Sequence, residues 1–372
     1  MKIVLVSNFY NHHQAFISRK LFELSNGQFR FISTSELPNE RKKLGYRSIV
    51  DPFLINYSDS SVEAQEWIDS ADAVIIGAAS SNLLKNRIAN KKITMRYSEH
   101  LFKKGIQWWK FPYRLLRAII SRTDAKNVYL LCASAFAAPD YAKLGLFKSK
   151  SYKWGYFPEC KKYDDFDAMM TKKDSREILW CGRFLDWKHP DDVIEVANRL
   201  KKTGEPFRLN IIGSGVMEDY LVQLVAKYGL ENEVCFLGST SPENVRRAME
   251  HAGIYAFTSD HNEGWGVVLN EAMNSGCAIV ASDQIGAAPY LLQDNENGLT
   301  YHSEDVDMLY SKIYYLLNCA DEQRRLGVNA YNTIISKWNP DIAAVRLYAL
   351  LQALVGGDEN PNIFDEGPCS KA

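Results

Sequence analysis

The chain has no pairing pattern for its cysteines. Cys132, Cys160, Cys181, Cys235, Cys277, Cys319 and Cys369 are scattered through 372 residues, none in a CxxC spacing. An odd set of this kind, mostly inside apolar runs, argues against a disulfide framework and a zinc site and fits reduced thiols in a cytoplasmic protein. Long apolar runs are missing as well, since none reaches the ~18 residues that span a bilayer. The first apolar stretch, 3–6, is too short for a signal-peptide core and is followed by Asn8, His12 and His13. Repeats of solenoid period are also missing. A net excess of one charge is nearly absent at −1, but the halves differ. Residues 1–160 hold 24 Lys+Arg against 13 Asp+Glu, a net of +11; residues 161–372 hold 20 against 32, a net of −12. Such a break suits two domains with different partners, the basic one facing something anionic.

What is present reads as a soluble globular chain, with 46% hydrophobic and 24% charged residues. Its length suits two domains at roughly 100–200 residues each. Strand-like runs fall at 2–7, 29–33, 73–77, 92–97 and 128–133, and again at 177–182, 207–213, 234–238, 254–258 and 278–282. Segments of helical period lie between them, among them 191–200, 216–228 and 267–274. Continuously apolar strands alternating with helices predict an α/β fold of two doubly wound, Rossmann-like parallel sheets. The expected domains are 1–160 and 176–340, with a charged linker within 155–176. A helix over 341–355 is expected to pack back on the first domain, and 356–372, rich in Gly, Pro, Asn and acid, reads as a loose tail. Ligands of such sheets bind outside the carboxyl ends of the strands, so the expected site is a cleft that two such sheets face.

The most informative stretch is 254–286. After a strand come Asp260, His261, Asn262 and Glu263; Gly264, Trp265 and Gly266 open a helix that carries Glu271. Glycines at a helix start admit a ligand to the backbone, and the free N–H groups there bind anions. Glu263 and Glu271 are separated by roughly 7 Å of helix rise, so they reach opposite ends of a diphosphate-sized ligand. Carboxylates accept from hydroxyl pairs such as a ribose diol. A surface acid plus a satisfied interior acid would give the same spacing; the glycines and flanking strands favour the ligand. Gly182, Arg183 and Lys188 follow another strand, where guanidinium and ammonium groups suit a diphosphate better than a merely solvated basic loop. Gly213 and Gly215 follow a third strand. Glu218 stands where a dinucleotide fingerprint has its third glycine, so this is a tight turn rather than an NAD site.

Together, Gly182, Arg183, Lys188, Gly213, Gly215, VCFLG at 234–238 and EGWGVVLNEAM at 263–273 resemble the donor domain of retaining, GT-B-fold nucleotide-sugar glycosyltransferases of the family-four type. The first half more weakly resembles the acceptor domains of bacterial polysaccharide and lipopolysaccharide members, with SNFYNHHQ at 7–14 and YKWGYFPE at 152–159 in the places of the first loop and the hinge. The resemblance implies that Arg183 and Lys188 neutralise the leaving diphosphate, that Glu263 meets donor-sugar hydroxyls and that Glu271 holds the ribose. Gly264, Trp265, Gly266, Val267 and Val268 would offer backbone N–H groups, and the strand end with Phe236 and Leu237 would border the base. No cofactor and no metal is implied. Asp165-Phe166-Asp167 spells a DxD motif but falls in the expected linker and reads as solvated charge. UDP is the favoured nucleotide over GDP or ADP.

The first half departs from the family pattern, with Asn11, His12 and His13 in place of a glycine-rich loop. His13, Glu99, His100 and Tyr156 are its candidate site residues. The segment 100–122 carries Lys103, Lys104, Lys110, Arg114, Arg117 and Arg122, interleaved with Trp108, Trp109, Phe111 and Tyr113, and no acid. Leu115, Leu116, Ile119 and Ile120 share one helical face. Lys103, Lys104, Trp108, Trp109, Arg114 and Arg117 thus suit an anionic membrane surface, with a core helix as the competing reading. Nothing resembles a nucleic-acid module. The expectation is a glycosyltransferase moving a sugar from a nucleotide diphosphate to a saccharide or lipid-linked acceptor in surface polysaccharide synthesis, peripheral on the inner membrane face. A nucleotide-sugar epimerase, a phosphorylase and a non-catalytic binding subunit are the competing functions.

Overall fold

The computed structural model describes residues 1–38, 49–103, 105, 108–120 and 123–372, without the side chains of 108, 111, 114, 115, 117 and 120. The chain forms two compact units, Met1–Glu159 with Lys337–Ala372, and Cys160–Ser336.

The first unit is built on β1 (Ile3–Ser7), β2 (Phe29–Ser33), β3 (Leu54–Asn56), β4 (Ala73–Ile76), β5 (Ile93–Ser98), β6 (Val128–Cys132) and β7 (Ser151–Lys153). All pair in parallel, in the order β3-β2-β1-β4-β5-β6-β7. Val4, Val6, Val74, Ile76, Val128 and Leu130 are buried in one cluster, as expected of strands covered on both faces. The helix His12–Leu24 starts at Asn11, whose Oδ1 accepts from His13 N at 2.9 Å. His12 and His13 therefore sit in a first helical turn and not in a surface loop. The helix Pro340–Val355 lies against His12–Leu24.

The end of the chain is not a loose tail. Lys371 bridges Tyr152 antiparallel, and Lys153 N donates to Ser370 O while Cys369 N donates to Lys153 O, both at 2.8 Å. Cys369 and Ser370 are buried. The composition suggested disorder, but the bare edge of β7 offers unpaired backbone groups, and the terminal residues satisfy them.

The second unit holds β8 (Asp174–Cys181), β9 (Arg208–Ile212), β10 (Val234–Gly238), β11 (Ala252–Phe257), β12 (Ala278–Ser282) and β13 (Leu299–Tyr301) in the parallel order β10-β9-β8-β11-β12-β13. Its core gathers Ile178, Trp180, Ile194, Leu200, Ile211, Ile254 and Val280. The expected linker is largely part of this unit. Asp165 caps the helix Phe166–Thr171 by accepting from Ala168 N at 2.8 Å, and Phe166 stacks on Tyr331 with centroids 3.8 Å apart. Asp167 pairs with Arg324 at 2.8 Å. The DxD acids thus cap and clip a helix while remaining solvated, as expected, Asp167 with 86% of its side-chain surface exposed. Among the described residues, no helix is long and apolar enough to cross a membrane.

Candidate functional site

In the second sheet the strand order reverses between β8 and β11. At such a switch point the two following loops part and leave a crevice at the carboxyl edge. Gly182, Arg183 and Lys188 follow β8, and Ser259 through Gly266 follow β11. Thr258 ties the two loops together: its Oγ1 accepts from Trp180 Nε1 at 2.9 Å and donates to the Lys188 carbonyl at 2.7 Å. Asp260 N donates to Trp187 O at 3.0 Å.

This knot brings Lys188 to Glu263. Their side chains are ion-paired with only 11% and 12% of their surface exposed. Ser259 Oγ donates to the same Glu263 oxygen at 3.1 Å. The Lys188 ammonium also lies 4.8 Å from the Trp187 ring centroid and 5.7 Å from that of Phe257. Arg183, by contrast, is exposed, its guanidinium 6.0 Å from the Trp187 ring centroid. The Glu271 charge acts at the end of β8: burial pushes the Cys181 thiol up to about 12, Glu271 adds to it and Lys188 opposes it. Burial likewise holds Tyr255 well above its usual range, with Cys181 and Glu271 contributing, and its hydroxyl donates to Cys181 O at 3.2 Å. One ammonium, one guanidinium and two carboxylates therefore surround the β8–β11 crevice. A ligand with an anionic middle and hydroxyl-bearing ends matches that pattern.

The glycines have steric reasons. A Cβ on Gly213 (φ +141) would stand 1.8 Å from Gly182 O, and one on Gly215 would stand 2.5 Å from Phe184 O. The turn after β9 is thus pressed against the turn that carries Arg183. Gly266 (φ +88) caps the helix Val267–Asn274, and a Cβ there would strike the Phe257 ring at 2.8 Å. Trp265 is buried and its Nε1 donates to Asn270 Oδ1 at 2.8 Å, so its ring holds the loop from behind. Gly264 is buried, and Val267 and Val268 are half-buried. Phe236 packs near Phe184 with centroids 6.2 Å apart, whereas Leu237 is exposed.

Sequence reasoning passed over Ser259, Thr258 and Trp187, because a hydroxyl or ring just beyond a strand carries no spacing signal. It also passed over a group beside Lys188. His189 with Asp191 and Asp192, and His189 with Asp260 and Glu304, bring ligand-type atoms within 4.8 Å of one another. These are the described residues that could hold a metal ion.

The candidates of the first unit form a separate arrangement after β5. Tyr156 donates its hydroxyl to Glu99 Oε1 at 3.0 Å, and Lys103 pairs with the other oxygen. His100 is buried, with Nδ1 3.6 Å from Asp140 Oδ2. Asp140 also accepts from Leu101 N and Phe102 N at 2.9 Å each. Glu99 and Tyr156 thus meet, while His100 is turned to Asp140. Lys103 is engaged inside the unit rather than free for a membrane. Lys104 lies outside the described residues, as do the side chains of Trp108, Arg114 and Arg117; Trp109 is exposed.

Residues 163–333 match the family model described as glycosyl transferases group 1. The chain is 29% identical over 160 residues to the D-inositol 3-phosphate glycosyltransferase of Nocardia farcinica, a match covering 41% of this chain and 35% of that protein. It is 31% identical over 156 residues to the N-acetylgalactosamine-N,N'-diacetylbacillosaminyl-diphospho-undecaprenol 4-alpha-N-acetylgalactosaminyltransferase of Campylobacter jejuni, covering 42% of this chain and 41% of that one. The matches to these relatives thus span well under half of their length. The crystal structure of Anabaena HepE in complex with UDP superposes with a TM-score of 0.71 at 14% identity, over 95% of this chain and all of that one, 100%. The two parallel-sheet units have the GT-B arrangement of strands and helices.

Proposed function

We propose, from the match of residues 163–333 to the glycosyl transferases of group 1, that this chain transfers a sugar, with retention of anomeric configuration, from a nucleotide diphosphate to a saccharide or lipid-linked acceptor. The observation that carries the reading is the buried Lys188–Glu263 pair at the switch point of the second sheet, with exposed Arg183 beside it. Breaking a glycosyl–phosphate bond leaves negative charge on the departing diphosphate while the sugar gains oxocarbenium character. Arg183, Lys188 and the backbone N–H groups at the start of Val267–Asn274 stabilise that charge. Glu263, released from Lys188, accepts from donor-sugar hydroxyls, and Glu271 accepts from the ribose diol. Attack from the face the phosphate leaves, with a phosphate oxygen taking the acceptor proton, completes a retaining transfer.

UDP is the favoured nucleotide, supported by its presence in the HepE complex. The Campylobacter jejuni protein is named for an acceptor on diphospho-undecaprenol, which supports a lipid-linked acceptor for this chain. The basic first half then faces an anionic membrane from the cytoplasmic side, in surface polysaccharide synthesis. Incubation with UDP-, GDP- and ADP-sugars, with and without saccharide acceptors, tests the reading. Acceptor-dependent release of nucleotide diphosphate is expected. Free sugar nucleotide with an altered sugar and no release would make it an epimerase, and binding without turnover would make it a binding subunit.

A further inference from the structure

Arg96 lies on β5 in register with Ile76, the last residue of β4, and with Leu130 of β6. It therefore stands in the carboxyl half of the first sheet, next to β4, and the strand order of that sheet reverses between β1 and β4. Its Nη1 donates to Ser81 Oγ at 3.2 Å, in the turn Ser81–Leu84 that follows β4. Nε and Nη2 are shut off from solvent and meet no acceptor. Among the described residues no carboxylate pairs with this guanidinium. Burial holds it below the ordinary arginine range, and the Tyr141 hydroxyl is the one titratable group that opposes the shift. The other buried guanidinium of this unit is the contrast. Arg87 spreads Nη1 and Nη2 over the carbonyls of Ile68, Ala71, Asp72 and Ile93 and so ties the backbone together. Arg96 has no such net. A charge taken from water without a counter-ion, and with idle donors, costs folding free energy.

We propose that Arg96 anchors an anion subsite on the first unit, and that the saccharide acceptor carries a phosphate or carboxylate held there. The anion displaces Ser81 from Nη1 and takes the Nε–Nη2 edge as a two-pronged donor, with the Ser81 and Tyr141 hydroxyls beside it. Phosphate and carboxylate both offer two oxygens at the spacing of that fork. A neutral sugar hydroxyl leaves the charge unpaired, so an acceptor without the anion is disfavoured. The donor diphosphate already has Arg183 and Lys188 on the second unit, which leaves Arg96 for the other substrate. The subsite rests on the sugar transfer proposed above and names the chemistry of its acceptor.

The test is calorimetry on the full chain with glycerol 3-phosphate, glucuronate and, as the neutral control, glycerol. Saturating UDP is present to occupy the cations of the second unit. Wild type is expected to bind at least one of the two anions and not glycerol, and the anion that binds tells phosphate from carboxylate. Arg96→Met should bind that anion at least about tenfold more weakly, and Arg96→Lys, which keeps the charge but not the fork, should fall between. Without ligand, Arg96→Met should melt at or above the wild-type temperature, because it removes an unpaired buried charge. Equal anion binding by Arg96→Met overturns the proposal, as does a wild type that binds neither anion better than glycerol. A lower melting temperature in Arg96→Met with unchanged anion binding makes the guanidinium a structural strut like Arg87. Nucleotide release from a sugar donor that is indifferent to Arg96→Met defeats the subsite and leaves sugar transfer standing. Anion binding that depends on Arg96, with no nucleotide release from any donor, defeats sugar transfer and leaves the subsite standing.

Discussion

Lys188 and Glu263, 75 positions apart in the chain, are ion-paired beneath the mouth of the β8–β11 crevice, and Ser259 shares the carboxylate. Each group therefore satisfies the other before a donor arrives, and a donor must offer both a better partner. A diphosphate does so for the ammonium and sugar hydroxyls do so for the carboxylate.

Lys188→Ala leaves a largely buried carboxylate unpaired and should destabilise the fold by ~3–5 kcal/mol, whereas Lys188→Ala with Glu263→Ala should cost clearly less. Arg183 is exposed, so Arg183→Ala should leave the melting temperature near wild type. Both single changes should lower turnover by ~10²–10³-fold, as lost transition-state charge contacts do. Denaturation curves and initial rates on the four proteins check this. Unaltered turnover in both Arg183→Ala and Lys188→Ala would end the diphosphate assignment.

The Glu271 charge acts on Cys181 at the end of β8, while Glu263 is ion-paired with Lys188. Glu271→Ala should weaken binding of UDP alone by about 1.5–3 kcal/mol, the range for hydrogen bonds to a charged acceptor. Glu263→Ala should spare UDP and weaken the intact sugar donor. Calorimetry with each ligand decides it; the reverse pattern would exchange the two roles.

The fold was legible where strands are long and apolar. The ten runs read as strands all pair in the two parallel sheets. The strands that escaped, Leu54–Asn56, Ser151–Lys153 and Leu299–Tyr301, have three residues each and lie at sheet edges. They are too short to show a period and are fixed by the neighbour they pair with. The candidate site was legible as residues placed after strands, because a parallel sheet directs chemistry to its carboxyl edge. That Lys188 pairs with Glu263, and that Ser259 joins them, depends on which strands are neighbours, which local pattern does not encode. The chain end misled for a related reason: its Gly, Pro and acid content describes a free segment, and only the open edge of β7 makes it an ordered one.

The turn after β9 gives a steric prediction. Gly213→Ala puts a Cβ 1.8 Å from Gly182 O, so the turn carrying Arg183 must move. UDP binding should fall and the melting temperature should drop. Gly204→Ala is the control, because its Cβ at φ +75 meets nothing within 4 Å. It should lose only the ~1–2 kcal/mol of a left-handed alanine and keep UDP binding. Wild-type UDP affinity in Gly213→Ala would mean that the two turns do not position the site together.

Asp192 gives a pH prediction with a definite sign. Burial, with the Asp191 and Glu304 charges adding and His189 opposing, raises its carboxyl to about 6. Asp260, near His189, and the buried Tyr301 hydroxyl complete its surroundings. Unfolded, the carboxyl titrates near ~3.9. Between those values the folded chain holds the proton more tightly than the unfolded one, so stability falls as pH rises through that window. Above about 6 the full penalty of a buried charge remains, on the order of 1–3 kcal/mol. Asp192→Asn keeps the shape and removes the charge. It should therefore raise the melting temperature at pH 7.5 and give almost no gain near pH 4, where wild type is already neutral at this position. Asp191→Asn should move the window lower by removing a neighbouring negative charge. Melting curves of the three proteins from pH 4 to 8 test the linkage. A gain from Asp192→Asn that is the same at both ends, or a loss at pH 7.5, would show that the carboxylate is stabilised where it lies, by His189 and the start of the helix Pro190–Thr203.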